Sequence, residues 1–177
     1  MIIIRDAKTE DLLSIAKVKI DTWHSTYRGF ITDDVLDKFD LSEQAEKFGE
    51  LIPQGCEKKF LIVAEANGTI VGFAAGGSER DGKYGIDGEV YAVYVHEKYQ
   101  NQGIGNNLMV HSAEKLANMG FESMLVWVLE DNPFKRFYEK YGGTQIDKKP
   151  FEISDNGHFV VAYAWKDGFY WRDINND

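Results

Sequence analysis

The chain has 177 residues, 44% apolar and 28% charged, which suits one globular domain spanning 1–177. Twenty Lys and Arg against 29 Asp and Glu leave a formal net charge of −9. That argues against a nucleic-acid partner, which would need clustered cations, and is compatible with a cationic small substrate.

A single cysteine, Cys56, excludes an intrachain disulfide and a cysteine-rich metal centre, and the four histidines show no metal-ligand spacing, so no metal is expected. No apolar run reaches the roughly 18 residues of a membrane span or forms a signal peptide, which points to a cytoplasmic protein with no membrane partner.

Ile2 to Arg5 reads as a short first strand. Thr9 is a candidate N-cap, and Leu13, Ala16, Ile20, Trp23 and Tyr27 then recur at helical spacing until Arg28-Gly29. A second helical stretch covers about Thr32 to Leu51, broken near Asp40-Leu-Ser42, with Ser42 as a candidate cap. Lys59 to Glu65 and Thr69 to Gly76 are strands joined by the hairpin signal Asn67-Gly68. A polar loop over 77–88 leads to a Val- and Tyr-rich strand over 89–95. The next helix shows Leu108, Met109, Ser112, Ala113, Leu116 and Met119 on its inner side. Ser123 to Leu129 is a near-continuous apolar strand. Asn132-Pro133 opens a further helix striped by Phe134, Phe137, Tyr138 and Tyr141 and ended by Gly142-Gly143. Two closing strands, Thr144–Lys149 and His158–Trp165, are joined across Ser154–Gly157, and the tail from Asp173 is expected to fray. The order is β-α-α-β-β-β-α-β-α-β-β, an α/β fold of the α+β type with a mixed sheet.

The chemistry concentrates in the strand from Glu89, the turn Gln100-Asn101-Gln102-Gly103-Ile104-Gly105 and the helix behind it. Strand, glycine turn and helix together aim unpaired N–H groups and a positive dipole end at one anion, as a pyrophosphate cradle would. A nucleoside triphosphate loop would need Lys-Ser/Thr after the last glycine, but Asn106-Asn107 stands there. A dinucleotide fingerprint would need a third glycine where Leu108 stands.

Gln100, Gly103 and Gly105 instead match the Arg/Gln-x-x-Gly-x-Gly/Ala signature, and the chain resembles the GNAT superfamily of acetyl-CoA-dependent N-acetyltransferases. Asp131 to Gly142 is similar to that family's Asn-x-x-Ala-x-x-x-Tyr-x-x-x-Gly segment, with Gly143 where Phe often follows. The element order also agrees, so the resemblance covers nearly the whole chain. It implies the acyl-CoA N-acyltransferase fold, a central mixed β-sheet flanked by helices.

By this resemblance, the turn and helix start from Gln100, Asn101 and Gln102 through Gly103, Ile104, Gly105 and Asn106 hold the acetyl-CoA pyrophosphate. The backbone of Val93, Tyr94 and Val95, on a strand parted by a bulge, pairs the pantetheine arm and polarises the thioester. Glu89 is the expected base acting through water, and Tyr138 the acid that protonates the leaving thiolate. Asn132 serves as both cap and cofactor contact, and Trp23 and Tyr27 wall the acceptor side or pack the core. The implied activity is direct acetyl transfer, in one ternary complex, to a primary amine of a small molecule or peptide; a homodimer stays open. The alternative is a catalytically silent acyl-CoA-binding sensor or partner module of the same fold, which loss of Glu89 and Tyr138 would favour; both are present.

Overall fold

Alternation and turn chemistry yield one seven-stranded mixed sheet in the computed structural model, which describes residues 1–29, 31–55, 57–151 and 157–168. Its strands are β1 (Ile2–Asp6), β2 (Lys59–Ala66), β3 (Thr69–Ser78), β4 (Gly88–Val95), β5 (Met124–Leu129), β6 (Thr144–Pro150) and β7 (Phe159–Trp165). They lie in the order β1-β2-β3-β4-β5-β7-β6. Among the described residues only β4 and β5 run parallel, and the crossover between them carries the helix α4 (Ile104–Asn118). The other helices are α1 (Leu12–Tyr27), α2 (Asp33–Leu36), α3 (Leu41–Gly49) and α5 (Arg136–Lys140).

The sheet buries both faces. On one, Ile15, Ala16 and Val18 of α1 and Phe48 of α3 pack on Leu61, Val63, Phe73 and Ala75. On the other, Ile104, Leu108, Met109 and Leu116 of α4 pack on Phe60, Ile62, Ala74 and Val90. This two-sided burial is why β2, β3 and β5 read as apolar runs rather than alternating ones. The Asn67-Gly68 turn has φ of 50° and 80°, the left-handed pair that a two-residue hairpin requires.

Several local expectations are corrected. Thr9 does not cap α1 but opens a short 3-10 turn. Asp11 organises that start, accepting from the Lys8 N–H at 2.8 Å and from both terminal nitrogens of Arg5 at 2.7 and 3.0 Å. Arg5 also reaches Glu65 at 2.8 Å, tying the helix start to β2, and it holds the Asp11 carboxyl below its ordinary value. The second helical stretch is broken as expected, but Asp40 rather than Ser42 caps α3, accepting from the Glu43 N–H at 2.8 Å. The last helix starts later than Asn132-Pro133 predicts. Asn132 closes a tight turn by accepting from the Phe134 N–H at 2.8 Å, and α5 begins only at Arg136. Cys56, the join over 154–156 and the tail from Asp173 lie outside the described residues.

Candidate active site

The site begins with a fault in β4. Ala75 of β3 pairs with Ala92 while its neighbour Gly76 pairs with Val90, so Tyr91 is an extra residue bulged out of the ladder. The bulge changes the parity of the strand. Val90 and Val93, three residues apart, both pack toward α4, whereas Ala92 and Tyr94 pack toward α1. Just past Val90 the parallel pairing of β4 with Val126 of β5 also stops. The two central strands therefore part from Tyr91 onward.

Beyond the bulge, the His96 N–H donates to Val71 of β3 at 2.8 Å. Alternation then turns the backbone groups of Val93 and Val95 toward the gap left by β5. The Val95 carbonyl accepts the Gln100 side-chain amide at 2.8 Å, which fastens the start of the turn to the end of the strand. The turn runs through Asn101, at φ 59°, and Gly103, at φ 79°, into α4. Gly103 needs to be glycine for its left-handed backbone. At Gly105 the reason is space: a Cβ there would meet nothing nearer than the Val95 methyl at 3.9 Å. The first internal bond of α4 runs from the Asn107 N–H to Gly103 at 3.0 Å, so the N–H groups before it open on that space.

A cleft of about 420 Å³ occupies the gap. Of the residues expected to hold the cofactor, all but Gln102 and Ile104 line it. Gln102 is exposed and Ile104 is buried in the core against the sheet, so these two contribute backbone at most. Tyr27 of α1, expected to wall the acceptor side or pack the core, lines the cleft, and Thr22 and Thr26 of α1 with Phe134, Phe137 and Tyr141 around α5 complete the wall without having been assigned from sequence. Their only signal was helical spacing, which core packing also produces.

Tyr138 lines this cleft and is half-buried. Burial, with a smaller influence from Tyr94, pushes its phenol above its ordinary value, so it is protonated at neutral pH. Two further phenols stand with it. Tyr27 accepts from the Asn132 side-chain amide at 2.9 Å, and Tyr94 accepts from the Trp23 indole at 3.0 Å. Burial raises both of these as well. Asn132 thereby spans two regions 105 residues apart in sequence.

A second cavity of about 190 Å³ opens between the parted strands. It shares Tyr27, Val93, Tyr94, Asn132 and Tyr138 with the first. Trp23, Tyr91, Trp127 and Phe151 line it, with valines of β5 and β7. No charged side chain lines either cavity among the described residues.

Glu89 lies elsewhere. It stands before the bulge, 2% exposed, and lines neither cavity. Its carboxylate accepts the Arg80 backbone N–H at 3.1 Å and Nε at 3.0 Å, with the Arg80 Nη2 on the other oxygen. Glu89 in turn raises the Arg80 guanidinium above its usual value. The neighbouring acids are also engaged: Asp81 with Lys149 at 3.4 Å, and Asp87 with the Glu122 N–H at 3.1 Å. Among the described residues no group of His, Cys, Asp and Glu is arranged to hold a metal, and no helix is long and apolar enough to cross a membrane.

Comparison with known proteins agrees with this architecture. Residues 23–143 match the acetyltransferase (GNAT) family. An uncharacterized N-acetyltransferase of Bacillus subtilis (strain 168), YuaI, is 36% identical over 167 residues, covering 94% of each chain. Among solved structures, the PaiA N-acetyltransferase of Thermoplasma acidophilum in complex with coenzyme A superposes with a TM-score of 0.73. It is 20% identical and the match covers 93% of this chain and 99% of that one. YncA of Salmonella typhimurium, a putative acetyltransferase with its cofactor acetyl-CoA, gives 0.71 at 21% identity over 94% of both.

Proposed function

The chain belongs to the acetyltransferase (GNAT) family and is an N-acetyltransferase; from that premise we propose that it moves the acetyl group of acetyl-CoA directly to a primary amine of a small molecule or peptide. The observation that carries the reading is the coincidence of three features on one cleft: a strand parted after Val90, a left-handed Gly103 opening α4, and Tyr138 at the wall. In this reading the N–H groups at the mouth of α4 take the pyrophosphate, and the backbone of Val93 and Val95 pairs the pantetheine arm in the gap that β5 leaves. An N–H aimed at the thioester oxygen stabilises the charge that develops there. The amine nitrogen attacks the carbonyl carbon, the C–S bond breaks, and Tyr138 gives its proton to the departing sulfur.

The cavity shared by Tyr27, Val93, Tyr94, Asn132 and Tyr138 is where acyl carbon and amine would meet. Burial in that apolar wall disfavours an ammonium, so the acceptor loses its extra proton on binding. Glu89 enters the reading under a condition. It takes a proton through water only when Arg80 leaves its carboxylate, and otherwise its part is to hold the loop over 79–87 against β4.

Calorimetric titration with acetyl-CoA, followed by release of free thiol in the presence of mixed amines, tests the reading. Binding without thiol release for any amine would reduce the chain to a binding module. Failure to bind acetyl-CoA would remove the reading entirely.

A further inference from the structure

The second cavity carries information about the acceptor that net charge does not. Its wall is built from rings and valines, and two of the polar groups inside it already have partners within the wall: the Tyr27 hydroxyl with Asn132, and the Tyr94 hydroxyl with Trp23. A polycation needs carboxylates at spaced positions, and none among the described residues lines this cavity. Aromatic faces can also attract cations. Here, however, the two half-buried outer rings carry cations of the chain itself. The Arg80 guanidinium lies 4.4 Å from the Tyr91 ring centre, and the Lys149 ammonium lies 4.2 Å from that of Trp127. Those cations are themselves paired with Glu89 and Asp81, so the ring faces they cover are not offered to a second positive centre on the acceptor. The size is also selective: an engineered apolar cavity of about 150 Å³ holds benzene, and this one measures about 190 Å³.

We infer that this cavity receives a small monoamine whose body is an uncharged aromatic ring or branched apolar group, and that Trp127 is a specificity-determining wall of that acceptor site. The inference rests on the acetyl-transfer reading for its chemistry. The neutral amine nitrogen bonds to the acetyl carbon of acetyl-CoA, the carbon–sulfur bond breaks, the thiolate gains a proton from Tyr138, and the proton lost from nitrogen passes through solvent to restore Tyr138. The overall net charge of −9 then serves solubility rather than selection of a cationic acceptor.

The test uses the full chain with 2-phenylethylamine, spermidine and a peptide beginning with phenylalanine. Free-thiol release gives kcat/KM for each, and calorimetry on the coenzyme A complex gives the affinity for each. We expect 2-phenylethylamine to exceed spermidine by roughly tenfold or more, the scale on which one apolar contact discriminates. Trp127→Ala should raise KM for 2-phenylethylamine roughly tenfold, with kcat and coenzyme A affinity nearly kept. Trp127→Phe should restore most of the loss, which a merely unfolded variant would not allow. Spermidine or the peptide as the best acceptor would overturn the inference while leaving acetyl transfer intact. Binding of 2-phenylethylamine with no thiol release from any of the three amines would leave the inference about the cavity standing and count against the direct-transfer reading. No measurable binding of 2-phenylethylamine to the coenzyme A complex would overturn the inference outright.

Discussion

The two halves of β4 belong to one continuous strand and have opposite fates. Gly88 to Val90 is paired on both sides, with β3 and with β5, and its one ionisable side chain, Glu89, is buried and held by Arg80. Val93 to Val95 is paired on one side only and faces a cleft on the other. One bulged residue, Tyr91, separates them. A fully paired strand satisfies its backbone internally and has nothing to offer a ligand, whereas a half-paired one presents unpaired N–H and C=O groups in a fixed row. The lower half is therefore scaffold and the upper half is site, although both read as the same Val- and Tyr-rich strand.

The sharpest way to test that division is at the cleft half. Tyr138→Phe removes one hydroxyl and little volume from its wall. The turnover number should fall roughly ten- to a thousandfold, within or just below the range for lost acid catalysis, while acetyl-CoA affinity is nearly unchanged. Steady-state kinetics beside calorimetry would check it, and normal turnover would show that another group supplies the proton. Gly105→Val acts on the neighbouring pocket proposed to take the pyrophosphate. Because the protein leaves room for a Cβ there, the variant should fold, yet lose acetyl-CoA affinity by roughly a hundredfold, about 3 kcal/mol. Unchanged affinity in a folded variant would mean that the mouth of α4 does not hold the pyrophosphate.

The paired half should answer in stability rather than affinity. Glu89→Gln removes the charge that Arg80 grips, and loss of hydrogen bonds to a charged group costs about 2 kcal/mol. We expect a lower urea midpoint and nearly unchanged acetyl-CoA binding. The same variant sharpens the comparison through its pH profile. If Glu89 is a base, the rise of kcat/KM with pH flattens; if it only holds Arg80, the profile keeps its shape.

The smallest expected effect concerns the loop that Arg80 belongs to. Its Tyr84 hydroxyl donates to Asp147 at 2.6 Å, and Lys83 reaches the same carboxylate at 3.1 Å. Led by the Tyr84 bond, these contacts depress the Asp147 carboxyl to about 2. A depressed carboxyl stabilises the fold above its unfolded value near 3.9, and that contribution is lost as pH falls through about 2. Tyr84→Phe should therefore lower the melting temperature slightly at pH 5, and the gap from the parent should close between about pH 4 and 2. A gap that stays constant over that window would show that the hydroxyl acts by packing alone.

Much of the site was legible because its turn chemistry is local. Gly103 and Gly105 mark a glycine turn into a helix, and the tyrosine motif places Tyr138 by spacing within a single segment. Asn132 reads as a helix cap but closes a turn, and its partner Tyr27 was not legible, since nothing in either segment announces a contact across 105 residues. Glu89 was the opposite case. Its place at the head of the strand suggested access, yet its partner Arg80 sits nine residues earlier, across a polar loop that gave no sign of folding back.

What the sequence determined by itself is the order and type of the elements, the hairpin at Asn67-Gly68 and the glycine turn into α4. All of these follow from periods of two to four residues and from the backbone preferences of Gly, Asn and Pro. What only the tertiary structure decided is where β4 stops being scaffold. A bulge is a mismatch between two strands, defined by which residue of β3 opposes which residue of β4, and no single segment encodes that register. The parity change at Tyr91 sends Val93 and Val95 to the face Val90 also uses, and leaves Glu89 behind on the buried, paired side. The aromatic wall of the second cavity has the same origin. Its rings come from α1, β4, β5 and the segment after β6, and they meet only because the central strands part.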